Sequence, residues 1–170
     1  MPENKNFHLR MENVYKHFPG VQAIEDVSIF LEKQSVHALI GQNGAGKSTL
    51  INMLMGSYPM DNGKIYIDNQ EVEINSTTDA LNLGLACIYQ EMFIILRVSI
   101  AKNIFLGDIP RKYPLHNVDF EFMYSRSKQI IEKIGVDIDV KRKARGLGIA
   151  EQQLIMIARA LQRESRILVM

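Results

Sequence analysis

A glycine-rich run at 41–49, GQNGAGKST, constrains this chain more than any other feature. Gly41, Gly46, Lys47 and Ser48 satisfy the spacing G-x-x-x-x-G-K-[ST], and Gly44 adds a further position without a Cβ. The physical meaning of that spacing is an anion cradle. Glycines let successive backbone N–H groups turn inward, a helix starting directly behind them adds its positive end, and the lysine brings a cation to the same mouth. The loop therefore predicts binding of ATP or a close relative. Gly41, Gln42, Asn43, Gly44, Ala45 and Gly46 wrap the phosphates, Lys47 reaches the β- and γ-phosphates, Ser48 offers its hydroxyl to Mg²⁺, and Thr49 carries the chain into the helix. Such a loop joins a strand to a helix. The apolar run at 36–40, VHALI, supplies the expected strand, and Leu50, Ile51 and Leu54 at helical spacing supply the helix over 48–57.

Reading outward from the loop, 8–18 (HLRMENVYKHF) and 23–31 (AIEDVSIFL) alternate apolar and polar around Pro19 and Gly20, which predicts a hairpin. Pro59, Asp61, Asn62 and Gly63 mark a turn before the strand KIYI, and Asp68 with Asn69 mark another after it. Ser76 with Asp79 three residues later reads as a capping box opening a helix over 77–83. Residues 85–89 read as a buried strand ending at Gln90, and helices follow at 99–106, 120–134 and 150–163. The last of these carries Leu154, Ile157, Ala158 and Leu161 on one face, and RILVM after it looks like the start of a buried strand. The stretch RKYPLHNVD is expected to be a surface loop, His116 a surface residue and His37 a core residue. No internal repeat interrupts this α/β order.

Composition narrows the function classes. Twenty basic residues against nineteen acidic ones give a net charge of +1, which offers no overall attraction to nucleic acid or to an anionic bilayer. No apolar run approaches the roughly 20 residues of a membrane helix, so direct membrane insertion is not expected. The single cysteine, Cys87, has no intrachain partner and fits a reducing cytoplasm.

Four further features at their separations from the loop resemble the nucleotide-binding domain of ABC transporter ATPases, from about residue 7 to the end. Phe18, in HFPGVQAIEDVS, stands where that family stacks an aromatic ring on adenine. Gln90, at the end of LACIY, resembles the family's Q-loop glutamine, which touches Mg²⁺ and the attacking water. The segment VSIAKNIFLG resembles the family's helical subdomain. The run LGIAEQQLIMIARAL resembles its signature loop and helix, in which Leu147, Gly148, Ile149, Ala150 and Glu151 would cap the γ-phosphate of ATP held by an opposite nucleotide-binding domain. Within the family, FPGVxA, Gln90-Glu91 and the A-E-Q-Q form of the signature resemble the first domain of sugar-import ATPases, which serve ribose, galactose or xylose uptake.

The resemblance implies a P-loop NTPase fold of ABC type, here incomplete: an antiparallel β subdomain, a partial RecA-like core sheet and a helical subdomain. Its expected bounds are 7–90 with 164–170 for the core and β subdomain, 91–163 mainly helical, and 1–6 as a flexible N-terminus. The implied partners are a second nucleotide-binding domain, membrane permease subunits and a sugar-binding protein. The implied location is cytoplasmic, at the inner face of the membrane through the permease. The chain departs from the pattern at Gly148, where the commonest signature has serine, at Phe93 and Leu96 in place of Asn and Pro, and at Lys102 in place of Glu. The Walker B aspartate, the catalytic glutamate and the switch histidine of the family do not occur after RILVM, so the 170 residues are expected to bind nucleotide without hydrolysing it.

Overall fold

The computed structural model describes residues 7–88, 93–114 and 116–170. They form two units, Met1–Leu83 and Gly84–Met170, each with its own core.

In the first unit the predicted hairpin forms from β1 (Phe7–Phe18) and β2 (Val21–Glu32). Its two-residue loop is Pro19-Gly20, with Gly20 at φ 78 as a tight turn of this length requires. Strands β3 (Asn62–Ile67) and β4 (Gln70–Val72) extend the sheet in the order β2-β1-β3-β4, all antiparallel. The β3–β4 turn is Asp68-Asn69, both with positive φ, the backbone shape that Asn and Asp tolerate best among residues with a side chain. Leu9, Met11, Val14, Ile65 and Ile67 fill the buried face.

That set breaks strict alternation between Met11 and Val14, and the cause is a bulge at Asn13, whose φ is 47. The extra residue turns Val14 inward. Its polar groups are satisfied on β2, the Asn13 backbone N–H donating to Ser28 Oγ at 3.0 Å and its side-chain amide to Asp26 Oδ1 at 2.8 Å. Gly63 runs so close beneath the bulge that a Cβ there would lie 2.8 Å from Asn13 O and from Val14 Cα. Two short helices complete the unit, α1 (Lys47–Leu54) and α2 (Thr77–Asn82). Half of the predicted box opens α2: Ser76 Oγ accepts the Asp79 N–H at 3.2 Å, while the Asp79 carboxylate accepts the N–H of Asn75, one residue before the N-cap, at 3.1 Å.

The strand expected at 36–40 is not formed. These residues belong to no helix or ladder, with Val36 fully exposed and Ile40 89% exposed. A strand is stabilised by its neighbour's backbone, and among the described residues none runs alongside. His37, expected in the core, is exposed with this segment, its Nε2 2.8 Å from Ser35 Oγ.

In the second unit β5 (Leu85–Cys87) pairs in parallel with β8 (Ile167–Val169), so RILVM does enter a strand. Helices α3 (Ile100–Ile104), α4 (Phe120–Lys133) and α5 (Ile149–Gln162) pack around Ile100, Ile104, Phe105, Met123, Ile131 and Ile155. Ser99 caps α3 and Asp119 caps α4, each accepting a backbone N–H three residues on, at 3.2 Å and 3.0 Å. The RKYPLHNVD stretch is more ordered than a plain loop: β6 (Arg111–Lys112) and β7 (Asn117–Val118) pair antiparallel within it.

The buried stripe of α5 is also rotated from expectation. Ile155, Met156, Ala158 and Ala160 are buried while Leu161 is exposed. Apolar residues occur around most of this helix, so spacing alone does not select the face that meets α3 and α4.

Candidate functional site

The loop at 41–46 and the start of α1 form a site of backbone donors. Gly44 and Gly46 both adopt left-handed backbone, φ 84 and φ 81, and Ala45 N–H closes a turn onto Gln42 O at 3.2 Å. Gly46 is held against β2: a Cβ on it would lie 2.6 Å from Ala23 O and 2.7 Å from Ile24 Cδ1. The first intrahelical bond runs from Leu50 N–H to Gly46 O at 2.9 Å. The amides of Lys47, Ser48 and Thr49 therefore have no intrahelical acceptor. Among the described residues no side chain caps this end, and the first turn carries no acid.

Lys47 folds back across the loop, its Nζ donating to Gly41 O at 2.6 Å and Gln42 O at 2.8 Å. An ammonium, free amides and the helix end thus converge at one exposed mouth, an arrangement that fits a phosphate and has no built-in anion. Ser48 is exposed at the first turn of α1.

Phe18 lies at the end of β1. Ile24, against which Gly46 packs, pairs with Lys16, two residues before Phe18, so the register brings this ring to the same edge of the unit as the loop. Tyr58 stands edge-on to Phe18 with centroids 5.5 Å apart, and Lys16 Nζ lies 5.4 Å from the Phe18 centroid. Lys16 follows from strand spacing, two residues before Phe18 on the same face, whereas Tyr58 is far along the chain and is not evident from the sequence. Asp61 anchors the arrangement, taking Lys16 Nζ at 2.7 Å and the His17 N–H at 2.6 Å. The Lys16 hydrogen bond, followed by the His17 amide, holds the Asp61 carboxyl below the usual carboxylate range.

Gln90 lies outside the described residues. The stretch just after it is tied down: Asn103 Oδ1 accepts Ile95 N–H at 2.8 Å, Asn103 Nδ2 donates to Ile95 O at 3.0 Å, and Arg159 donates to Phe93 O at 3.0 Å. Cys87, on β5 shortly before, is half-buried, and burial pushes its thiol pKa up.

In the second unit, Leu147 is buried, Gly148 is the N-cap of α5, and Ile149 is 68% exposed with Ala150 beside it in the first turn. This helix end differs from that of α1. Glu151 reaches back so that Oε2 accepts Gly148 N–H at 2.8 Å, while Oε1 takes Arg142 at 2.9 Å. Glycine contributes no side chain, so this is one half of a capping box. Arg142 is a second residue that the motif did not indicate.

Residues 24–170 match the family model described as ABC transporter. The chain is 40% identical over 170 residues to the xylose import ATP-binding protein of Geobacillus kaustophilus, covering 98% of this chain and 33% of that protein. It is 41% identical over 170 residues to the galactose/methyl galactoside import ATP-binding protein of Fusobacterium nucleatum subsp. nucleatum, covering 99% and 33%. A ribose import ATP-binding protein of Streptomyces avermitilis is 41% identical over 162 residues, covering 95% and 31%. The chain thus spans about one third of the length of these relatives. Among solved structures, an ATP-binding cassette of an ABC transporter in its ADP conformation superposes with a TM-score of 0.82 at 28% identity, covering 95% of this chain and 67% of that one. No helix among the described residues is long and apolar enough to cross a membrane. A phosphate cradle followed by a match over nearly the whole chain leads to one conclusion: this chain belongs to the ABC transporter family, in its ATP-binding cassette.

Proposed function

We propose that the chain is the nucleotide-binding part of the ATPase subunit of a monosaccharide importer. The observation that carries the reading is the open N-terminus of α1, where unsatisfied amides of 47–49 meet Lys47 over two left-handed glycines. In this reading residues 41–46 hold the phosphates through backbone N–H groups, Lys47 leaves Gly41 O and Gln42 O for the β- and γ-phosphates, and Thr49 extends the cradle. Phe18, steadied by Tyr58, stacks on the adenine. Ser48 and Gln90 would hold Mg²⁺, which would neutralise phosphate charge when bound. Residues 147–151 would meet the γ-phosphate of a second nucleotide-binding domain.

The sugar substrate rests on the names of the relatives, which import xylose, ribose, galactose or arabinose. A permease on the membrane and a sugar-binding protein outside it are the partners this reading requires, with the chain at the inner face of the membrane.

Equilibrium binding of Mg-ATP to the purified chain tests the cradle. Lys47→Ala removes charge-assisted hydrogen bonds and should weaken binding by about 10- to 100-fold. Equal affinity of the two proteins, or no binding by either, would sink the assignment. Uptake of labelled xylose, ribose and galactose by cells producing wild-type or Lys47→Ala protein tests the import role, which fails if no sugar responds.

A further inference from the structure

The stretch at 93–95 belongs to no helix or strand, yet three of its backbone groups are satisfied by side chains of two helices. Asn103, on α3, is fully buried and uses its whole amide head. Its Oδ1 accepts from Ile95 N–H, and its Nδ2 donates to Ile95 O at 3.0 Å and to Ser99 O at 3.2 Å. Asparagine is the short side chain that offers an acceptor and two donors in one plane. Arg159, on α5, completes the set with its fork, Nε donating to Asn103 O at 2.9 Å and a terminal nitrogen to Phe93 O at 3.0 Å.

The arginine is an expensive way to fill this place. It is half-buried with no carboxylate partner among the described residues, and burial, then the nearby charge of Arg163, lowers its pKa. An apolar side chain of the same length would fill the volume without that desolvation. What the guanidinium adds is two hydrogen bonds in fixed directions. One lies at the C-terminal end of α3, where carbonyls favour a cation, and the other lies on the loop.

We infer that Arg159, with Asn103, is a positioning residue that fastens the stretch 93–95 to α5, so that this stretch and the helix carrying residues 147–151 at its start shift together. Under the proposed function, which this inference rests on and deepens, a displacement felt just after Gln90 is delivered through Arg159 to the helix that faces the second nucleotide.

Amide hydrogen exchange, followed by mass spectrometry on the full chain without nucleotide, tests this in wild type, Arg159→Met and Arg159→Lys. Methionine keeps the volume and loses both bonds, so amides in 93–98 should exchange about tenfold faster or more, while those of 127–131 in α4 stay within about twofold. Lysine, with one point donor, should fall between. An unchanged rate at 93–98 overturns the inference, and so does a uniform acceleration across α3, α4 and α5, which marks a merely structural role. If Arg159→Met does not fold, the Arg159→Lys comparison decides by the same two criteria. Mg-ATP affinity should be equal in wild type and Arg159→Met. Failure of the wild type to bind nucleotide would refute the proposed function, while the nucleotide-free exchange rates would still decide the fastening.

Discussion

Replacing Gly46 and Gly44 separately by alanine separates two costs that usually arrive together. Both residues sit at nearly the same left-handed φ, 81 and 84, so each alanine incurs the same backbone penalty of about 1–2 kcal/mol. Both also gain the same small offset, about 0.4–1 kcal/mol, from a stiffer unfolded chain. They differ in surroundings. A Cβ on Gly44 meets nothing within 4 Å, whereas one on Gly46 lies 2.6 Å from Ala23 O and 2.7 Å from Ile24 Cδ1. The Ile24 methyl can turn aside, but the Ala23 carbonyl belongs to β2 and cannot move without the sheet. Forcing the loop off β2 adds an overpacking cost of about 1–3 kcal/mol. Gly46→Ala should therefore destabilise the chain by about 1–3 kcal/mol more than Gly44→Ala. Urea unfolding of each variant, followed by far-UV circular dichroism without nucleotide, gives the two values from the midpoints at a common slope. Equal midpoints, or a lower one for Gly44→Ala, would refute the claim that Gly46 is required for close approach to β2 and not only for its φ.

Lys47→Ala should leave the urea midpoint almost unchanged, because the two hydrogen bonds it loses are exposed and water replaces them, while nucleotide affinity falls; a large drop in stability would show the lysine to be structural. Asp61 has a folded-state pKa below its unfolded value, so its contribution to stability is present above the ordinary carboxylate range and is lost as pH falls through the depressed value. Asp61→Asn should remove that acid-side slope in melting curves taken from pH 6 downward, and an unchanged slope would count against the Lys16 and His17 contacts. Glu151→Ala removes the carboxylate on Gly148 and the Arg142 pair together, at a cost of about 1 kcal/mol in a urea melt, with faster amide exchange confined to the first turn of α5.

Features set by neighbouring residues were legible from the chain alone. Pro19-Gly20 and Asp68-Asn69 specify their turns through their own backbone preferences, Ser76 and Asp79 cap α2 within one turn, and the cradle is a single contiguous run. Features that depend on distant residues were not. Residues 36–40 have the composition of a buried strand, but a strand also requires a partner backbone, and none is described beside it. The bulge at Asn13 depends on Ser28 and Asp26 of another strand and on the approach of Gly63. Tyr58 meets Phe18 only after α1 has been traversed, and Arg159 meets Phe93 across 66 positions. No local spacing encodes such pairs.

The two helix starts that carry the loop at 41–46 and residues 147–151 differ electrostatically in the folded chain. At α1 the amides of 47–49 are open and Lys47 adds positive charge, so a phosphate meets attraction at once. At α5 the carboxylate of Glu151 already occupies the helix end, and Arg142 neutralises it. A phosphate arriving there from an opposite domain, in the proposed role, meets a site whose charge is already balanced, with no serine hydroxyl at Gly148 to add a bond. Binding becomes favourable only if Glu151 swings off the Gly148 amide, because that one movement frees both an N–H donor and the Arg142 guanidinium for the incoming anion. The same carboxylate that stabilises α5 alone thus opposes the contact it would make in a pair. Glu151→Gln, which can still accept from Gly148 but carries no charge, should therefore strengthen ATP-dependent pairing with a second nucleotide-binding domain in analytical ultracentrifugation. Pairing weakened by that change would mean that Glu151 acts on the partner directly and not as a gate on its own helix.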